Sequence, residues 1–460
     1  MNHARNIRSA VRPSGSRHAF LLLLCALLLC LPCVCAAEGT EGFYTEMPYH
    51  LRVKQTTQSE NVQHDVYVLR TYPDTANDEV DAQMRDLIDD MAERNRPYLP
   101  LERGEIPTYL DVGAVITRTG TSVMSFLTLA EVSKDKEQLH MDYAARVFDI
   151  ADGRLLALTD LFDEDSGAWA YLAQEIRRQL SAAFPALEPD QEALERLCRP
   201  ENIRHADFTL GAARLTLTYR ADLLYPGKHT LLHVNVYYPD IREMMTPYAK
   251  EQTDNSRFRM VALTYDDGGA RASTRRVLGE LRAQGAQATF FVVGFCMAKN
   301  HEMLCRQQDC NYSIQSHTYN HDYPNELTPE IIFEEKQRYH DELTDLIGVA
   351  PTVMRAPGGM DDYYIKHQIG YPVIHWSLAS GDSGNTNVKG IASRVMNGAK
   401  DGDVILMHDS NPRSSEYTRK ILERFNQKGI LCVTLEELFA DAGVKLEANR
   451  IYFSPYRIDK

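Results

Sequence analysis

The sequence predicts an α/β protein in which an α+β domain precedes a domain of repeated strand-helix units. Residues 41–248 mix alternating, strand-like stretches with amphipathic helical ones, whereas short apolar runs alternate regularly with helical segments after residue 257. A polar, turn-prone stretch separates the two, and residues 249–256 are predicted to form the linker. With 460 residues the chain is long enough for two domains, each with its own core.

The first 37 residues are predicted to be a secretory signal peptide. They begin with basic residues and no acidic one, continue with an apolar run at 19–31, and end in the small residues Ala36 and Ala37. Because the apolar run is short for a bilayer crossing, cleavage near Ala37 is favoured over a retained anchor, which stays an alternative. We therefore expect export to the periplasm, the cell envelope or the medium, with no stable membrane span after cleavage.

The charge of the chain narrows the choice of partners. The formal net charge is −14, and loss of the basic leader makes the remainder more acidic. This balance argues against nucleic acid and anionic lipid as partners and is compatible with an uncharged or locally cationic glycan.

The N-terminal half contains recognisable elements but no chemical motif. Alternating stretches at 65–69 and 215–219 predict strands, and amphipathic stretches at 79–95 and 166–184 predict helices.

The C-terminal half, residues 257–445, is predicted to contain parallel strands with helices outside them, as a closed barrel or an open sheet. Residues 446–460 are predicted to be a tail. Strands are expected at 260–265, 288–294, 313–316, 352–354, 372–378, 404–407 and 430–433, and helices at 273–284, 328–347 and 415–429. Such folds place their chemistry at the carboxyl ends of the strands.

Two groups of potential metal ligands follow predicted strands. Asp266 and Asp267 follow the first, and His317 and His321 follow the third. An Asp-Asp-Gly sequence alone is more often a tight turn, and two histidines four residues apart are often unrelated. Together, two imidazoles and a carboxylate form a three-ligand set with an open position, as in catalytic sites for zinc or a related divalent ion.

Five motifs occur along the C-terminal half in a fixed order. They are TYDDG at 264–268, HTYNH at 317–321, RAPGG at 355–359, the stretch at 376–382 and LMHDS at 406–410. In this order they resemble the polysaccharide deacetylases, the NodB homology domain of carbohydrate esterase family 4. The resemblance implies a distorted parallel (β/α) barrel.

The resemblance also implies roles for the motif residues. Asp267, His317 and His321 would hold one divalent ion, zinc first, with cobalt, nickel and manganese as alternatives. Asp266 would act as general base on water, and His408 as general acid for the leaving amine.

Four further roles are implied around these residues. Arg355 would orient Asp266, and Asp382 would tune His408, although either could be an ordinary ion pair. A backbone N–H near Gly358 would stabilise the oxyanion, and Leu406 would line the pocket for the acetyl methyl group, unless it is simply a buried strand residue.

Tyr265 completes the predicted substrate contacts. The sequence also departs from the family pattern, because Ser383 stands where many members carry a tryptophan, and Gly358 stands where an aromatic or other bulky residue is common. These changes are interpreted as opening the substrate groove, with Trp376 or Tyr319 as candidates for a replacement stacking surface.

The expected function is metal-dependent hydrolysis of N-acetyl groups on a cell-envelope polysaccharide, peptidoglycan first. Chitin-like oligomers are an alternative substrate. Another amide hydrolase on the same scaffold and a non-catalytic glycan-binding protein are alternative functions. Residues 41–248 more weakly resemble the domain that precedes the deacetylase module in some secreted peptidoglycan deacetylases, which implies a binding or positioning module or a structural role.

Overall fold

The computed structural model describes residues 42–46, 54–63, 65–100, 106–134, 137–268 and 271–458. The predicted signal peptide at 1–37 lies outside these ranges. Phe43–Lys460 form one compact unit. Within the described ranges, no helix combines the length and apolar character that a bilayer crossing requires.

A six-stranded sheet forms the base of the N-terminal half, with its strands in chain order. They are β1 Lys54–Gln63, β2 Val66–Asp74, β3 Thr108–Thr119, β4 Val123–Lys134, β5 Glu137–Asp149 and β6 Arg154–Leu155. Only β2 and β3 pair in parallel, and the other neighbours are antiparallel. A parallel pair requires a crossover, which helix α1, Asp78–Asn95, provides.

Helix α1 follows from its sequence. The Asn77 side chain accepts hydrogen bonds from the first backbone N–H groups and so caps the helix. Buried apolar residues recur every three or four positions, at Val80, Met84, Ile88 and Met91, and form the face that packs on the sheet.

Short helices and a second sheet complete the N-terminal half. The helices are α2 Leu158–Leu161, α3 Ala168–Ser181, α4 Gln191–Leu197, α5 Pro200–Ile203, α6 Tyr238–Ile241 and α7 Pro247–Gln252. The antiparallel sheet contains β7 Phe208–Leu210, β8 Arg214–Arg220 and β9 Leu231–Tyr237. The predicted α+β character of this half is confirmed.

The C-terminal half is a curled array of strands around β10, all paired in parallel except β18, which is antiparallel to β17. Its strands are β10 Arg259–Asp267, β11 Thr289–Val292, β12 Ser313–Ser316, β13 Val373–Ile374, β14 Leu378–Ala379, β15 Asp403–His408, β16 Ile430–Val433, β17 Ile451–Ser454 and β18 Arg457–Ile458. Strand β10 pairs in parallel with β11, β15 and β16, and β12 and β14 extend the array on either side. Parallel bridges at Met354 connect β12 to β13. The predicted distorted (β/α) barrel is confirmed.

The barrel helices are α8 Arg271–Gln284, α9 His301–Asp309, α10 Pro329–Ile347, α11 Asp361–Lys366, α12 Val388–Gly398, α13 Ser414–Gln427 and α14 Leu435–Asp441. One predicted strand, 372–378, divides into β13 and β14. The division has a structural cause: the His375 N–H donates to Tyr452, whereas the Ser377 N–H donates to Val404, so the chain changes partner strand between them.

The two halves share apolar cores and polar contacts. Val115 and Leu129 of the N-terminal sheet belong to the same buried cluster as Leu263 and Phe290 of the barrel. Across the same boundary, Arg118 donates hydrogen bonds to the Gln284 carbonyl and the Asn426 side chain. The N-terminal half therefore covers one side of the barrel.

Two predicted boundaries differ in the structure. Residues 249–256 are a packed connection rather than a free linker, since they include the end of α7 and the buried Asn255, which accepts a hydrogen bond from the Gly120 N–H at 2.9 Å. The barrel also continues past residue 445: β17 pairs in parallel with β13, so the prediction of a tail at 446–460 is wrong.

Candidate active site

The predicted catalytic and metal-binding residues meet at the carboxyl ends of the barrel strands. Asp266 and Asp267 end β10, and His408 ends β15. The histidines follow β12, Arg355 follows the Met354 bridge, and Asp382 follows β14. Because parallel strands end at one edge, residues far apart in sequence become neighbours here.

Asp267, His317 and His321 form the candidate metal centre. Their ligand atoms all lie within 4.8 Å of one another, and 3.9 Å separates His321 Nε2 from Asp267 Oδ1. His317 Nδ1 lies 3.0 Å from the Arg355 carbonyl, which fixes Nδ1 as the protonated nitrogen and leaves Nε2 as the ligand atom. Burial lowers the pKa of His317, which favours the neutral imidazole that a metal needs. The donor set fits a divalent ion of the zinc type.

The backbone at this centre is held in an unusual conformation. Asp267, Thr318 and His321 have φ values of 88°, 61° and 63°. Each non-glycine residue in the left-handed region costs about 1–3 kcal/mol, so surrounding contacts must hold it there. One such contact is the hydrogen bond that the His321 N–H donates to Thr318 Oγ1 at 3.1 Å.

Two residues that sequence reasoning did not single out support Asp267. Ser410 Oγ donates to Asp267 Oδ2 at 2.5 Å, and buried Asp409 accepts a hydrogen bond from the Gly268 N–H at 2.9 Å. Burial raises the pKa of Asp409 to about 6. Both residues lie in the LMHDS motif directly after His408, so position alone was a signal for them.

Asp266 is held by the fully buried Arg355. Arg355 Nη1 lies 2.7 Å from Asp266 Oδ1 and 2.8 Å from Thr264 Oγ1. Its other nitrogens donate to the carbonyls of Ile374 and His375. The second carboxylate oxygen of Asp266 lies 3.7 Å from His317 Nε2. One oxygen is thus anchored, and the other faces the candidate metal centre.

His408 and Asp382 form a second charged pair. His408 Nδ1 lies 2.8 Å from Asp382 Oδ1, and Asp382 Oδ2 accepts from the His408 N–H at 2.8 Å and from the Tyr417 hydroxyl at 2.6 Å. Burial opposes the charged imidazole, but the hydrogen bond and charge of Asp382 outweigh it and raise the pKa of His408 to about 9. The sequence did not predict this role of Tyr417, because no motif indicates that a buried tyrosine on a helix contacts Asp382.

The strand register places the Asp266–Arg355 pair beside the His408–Asp382 pair. Asp266 is the partner of His408 across β10 and β15, and Thr264 is the partner of Leu406. Paired residues on adjacent strands project to the same side of a sheet. Leu406 therefore shares the face of Asp266 and His408, which leaves its predicted role as a lining of the acetyl pocket open.

The predicted substrate contact of Tyr265 is wrong for its side chain. Along a strand, successive side chains point to opposite faces, so Tyr265 points away from Asp266. It is fully buried between sheet and helices, where its ring stacks on Phe290 and its hydroxyl lies 2.9 Å from Thr418 Oγ1.

Tyr319 and Trp376, the two candidates for a stacking surface, differ in how far their rings are exposed. Tyr319 is buried, its hydroxyl donates to Glu342, and the Arg338 guanidinium lies 3.9 Å from its ring centre. It is therefore a packing residue. Trp376 is half-buried and stacks on His375 with a centroid separation of 3.8 Å.

Comparisons with known proteins match this part of the chain. The family model described as Polysaccharide deacetylase matches residues 253–373. The peptidoglycan-N-acetylglucosamine deacetylase PgdA of Listeria monocytogenes is 29% identical over 195 residues, which are 42% of this chain and 41% of that protein. A peptidoglycan-N-acetylglucosamine deacetylase of Bacillus cereus is 31% identical over 205 residues, covering 42% of this chain and 93% of that protein.

A solved structure adds to these similarities. That of peptidoglycan deacetylase PdaC from Bacillus subtilis is 30% identical, with a TM-score of 0.38, and the match covers 39% of this chain and 90% of that one. The chain spans only about two fifths of the length of the Listeria relative.

Proposed function

Because the chain belongs to the polysaccharide deacetylase family, we propose that it is a metal-dependent enzyme that hydrolyses N-acetyl groups on a cell-envelope polysaccharide, with peptidoglycan as first substrate. One observation carries the proposal: Asp266 and His408 are register partners on adjacent strands, beside the three-ligand set. The two strands lie about 5 Å apart, so a carboxylate that would accept a proton and an imidazole that would donate one start from the same edge of the barrel.

Asp267, His317 and His321 would hold the divalent ion, zinc first. A bound ion would supply Lewis-acid polarisation of the acetamide carbonyl and a lower pKa for water at the site. Ser410 and Asp409 would keep the Asp267 turn in its ligand geometry, because outer partners fix the direction of a ligand atom.

Asp266 would act as the general base. Arg355 binds its Oδ1, so the carboxylate stays oriented, and its Oδ2 faces the metal centre and can accept a proton from the attacking water. The water oxygen then bonds to the acetamide carbonyl carbon. A backbone N–H near Gly358 stays the predicted donor to the oxyanion.

His408 would act as the general acid. With a pKa of about 9, its imidazole is protonated at neutral pH. The C–N bond breaks as His408 gives its proton to the amine nitrogen, since an amide nitrogen cannot leave unprotonated. The products are acetate and a free amino sugar.

The remaining expectations belong to this proposal as well. The protein would be exported by its leader. The shared core supports a structural role of the N-terminal half in covering the barrel. The relatives' substrates support peptidoglycan, and chitin-like oligomers remain the second substrate to be tested.

The test follows acetate release by zinc-loaded protein without its predicted leader, on peptidoglycan and on N-acetylglucosamine oligomers. We expect release that a chelator abolishes, that Asp266→Asn loses, and that Asp240→Asn, an exposed aspartate in the N-terminal half, retains. If zinc binds the three ligands but neither substrate releases acetate, the function falls back to another amide substrate or to glycan binding without catalysis.

A further inference from the structure

Two consecutive glycines follow Arg355 where aromatic rings from other segments approach the backbone. Gly358 has a φ of 62°, and a Cβ there would lie 2.8 Å from Cε1 of Tyr323. At Gly359, with a φ of 70°, a Cβ would lie 2.8 Å from the His375 ring and 3.0 Å from Trp376. Real Cβ atoms do not come this close, so the glycines make room for the rings.

Tyr323 is the more accessible of these rings. It lies two residues beyond His321, and half of its surface, 50%, is exposed. No described residue accepts or donates a hydrogen bond at its hydroxyl. A large aromatic side chain thus stands at the edge of the candidate active site with unoccupied surface and a polar tip.

Trp376 lies beside the second glycine of the pair. Its ring stacks on His375, which pairs with buried Asp361, and it lies 6.0 Å from the Arg355 guanidinium. Tyr323 therefore lies against Gly358, and Trp376 lies against Gly359. Absence of a side chain at 358 does not open the groove as the sequence suggested, because Tyr323 occupies that space.

We propose that Tyr323 is the sugar-stacking residue of this site and that it replaces the side chain absent at Gly358. This inference rests on the proposed deacetylase function. A pyranose ring presents an apolar C–H face and a rim of hydroxyl groups, which suits an aromatic ring with a free phenolic tip. The ligand class is an uncharged oligomer of N-acetylated pyranoses, and Tyr323 binds the unit next to the one whose acetamide reacts.

The experiment compares Tyr323→Ala with Tyr323→Phe and Tyr323→Trp, which keep a ring. The control is Tyr98→Ala, which removes another exposed tyrosine, located in the N-terminal half. Binding of the N-acetylglucosamine tetramer is measured by calorimetry in zinc-loaded protein that also carries Asp266→Asn. KM, kcat and zinc affinity are measured with Asp266 intact.

We expect Tyr323→Ala to weaken tetramer binding and raise KM by about tenfold, with kcat changed by less than about threefold. The ring-retaining variants and the control should stay within about twofold of the unmodified protein. Zinc affinity should not change.

Equal tetramer affinity with and without the ring would overturn the inference. So would a loss of binding that parallels a loss of zinc affinity, because Tyr323 would then support the His321 loop. The two proposals fail separately. If the tetramer binds but releases no acetate, the deacetylase function fails and tetramer affinity still decides the role of Tyr323; if acetate is released and Tyr323→Ala has normal KM, only the stacking inference fails.

Discussion

Asp382→Asn removes the negative charge beside His408, the general acid of the proposed mechanism, and keeps nearly the same side-chain shape at position 382. Asp382 holds His408 through Nδ1 and the backbone N–H, and its charge keeps the pKa of the imidazole at about 9 against an ordinary value of 6.5. Without that charge, burial of the imidazole still lowers the pKa of His408 and no longer has Asp382 to oppose it. We therefore expect the pKa of His408 to fall to 6.5 or below.

The rate effect follows from the protonated fraction. His408 must carry a proton to act, so a raised pKa extends activity toward alkaline pH and a lowered pKa removes it there first. At about pH 7.5, nearly all of His408 is protonated at the higher pKa and about one tenth at the lower. The variant should lose roughly tenfold in kcat/KM at that pH and approach the unmodified protein near about pH 6.

The assay is kcat/KM for acetate release from the N-acetylglucosamine tetramer, measured across pH with saturating zinc. A divalent ion lowers the pKa of His408 in both proteins, so the difference between their alkaline limbs is the tested quantity. Tyr417→Phe removes one hydrogen bond to Asp382 but keeps its charge, and should move the limb less. An alkaline limb that stays in place while activity falls equally at every pH would refute the assignment of His408 as the acid.

Three further changes test other parts of the site. His321→Ala should lower zinc affinity by more than about 100-fold in a competition titration without lowering the Tm of the metal-free protein, and unchanged affinity would contradict the ligand set. Ser410→Ala should lower zinc affinity by about tenfold, since Ser410 directs the Asp267 carboxylate; an effect on stability alone would assign it to packing. Tyr265→Phe should cost about 1 kcal/mol in denaturant unfolding by removing the Thr418 contact, and a changed KM would contradict its placement outside the barrel.

The sequence was sufficient to predict which residues meet at the site. Asp266, His317, Arg355 and His408 each follow an apolar run, and the ends of parallel strands share one edge. Position at a strand end did not suffice for Tyr265. Side chains alternate along a strand, so Tyr265 points to the face opposite to that of Asp266. The residues of one motif therefore do not form one surface when the motif lies on a strand.

Other features depend on packing that local patterns do not encode. Tyr417 reaches Asp382 only because α13 docks with that face toward the end of β15. Tyr323 lies against Gly358 only because the chain after His321 turns back across the Arg355 loop. The polar stretch at 249–256 resembled a linker by composition, but the Asn255 amide is buried against the Gly120 backbone.

The core shared by the two halves limits how this protein can be divided or recombined. Strand β10 carries Asp266 and Asp267 at its end, and Leu263 within it packs in a cluster that includes Val115 and Leu129 of the N-terminal sheet. A barrel excised at residue 257 would present that apolar flank to water. If the N-terminal half were exchanged between relatives, the barrel residues that pack against it would have to be exchanged as well. We therefore expect the contacting residues of the two halves to change together in evolution.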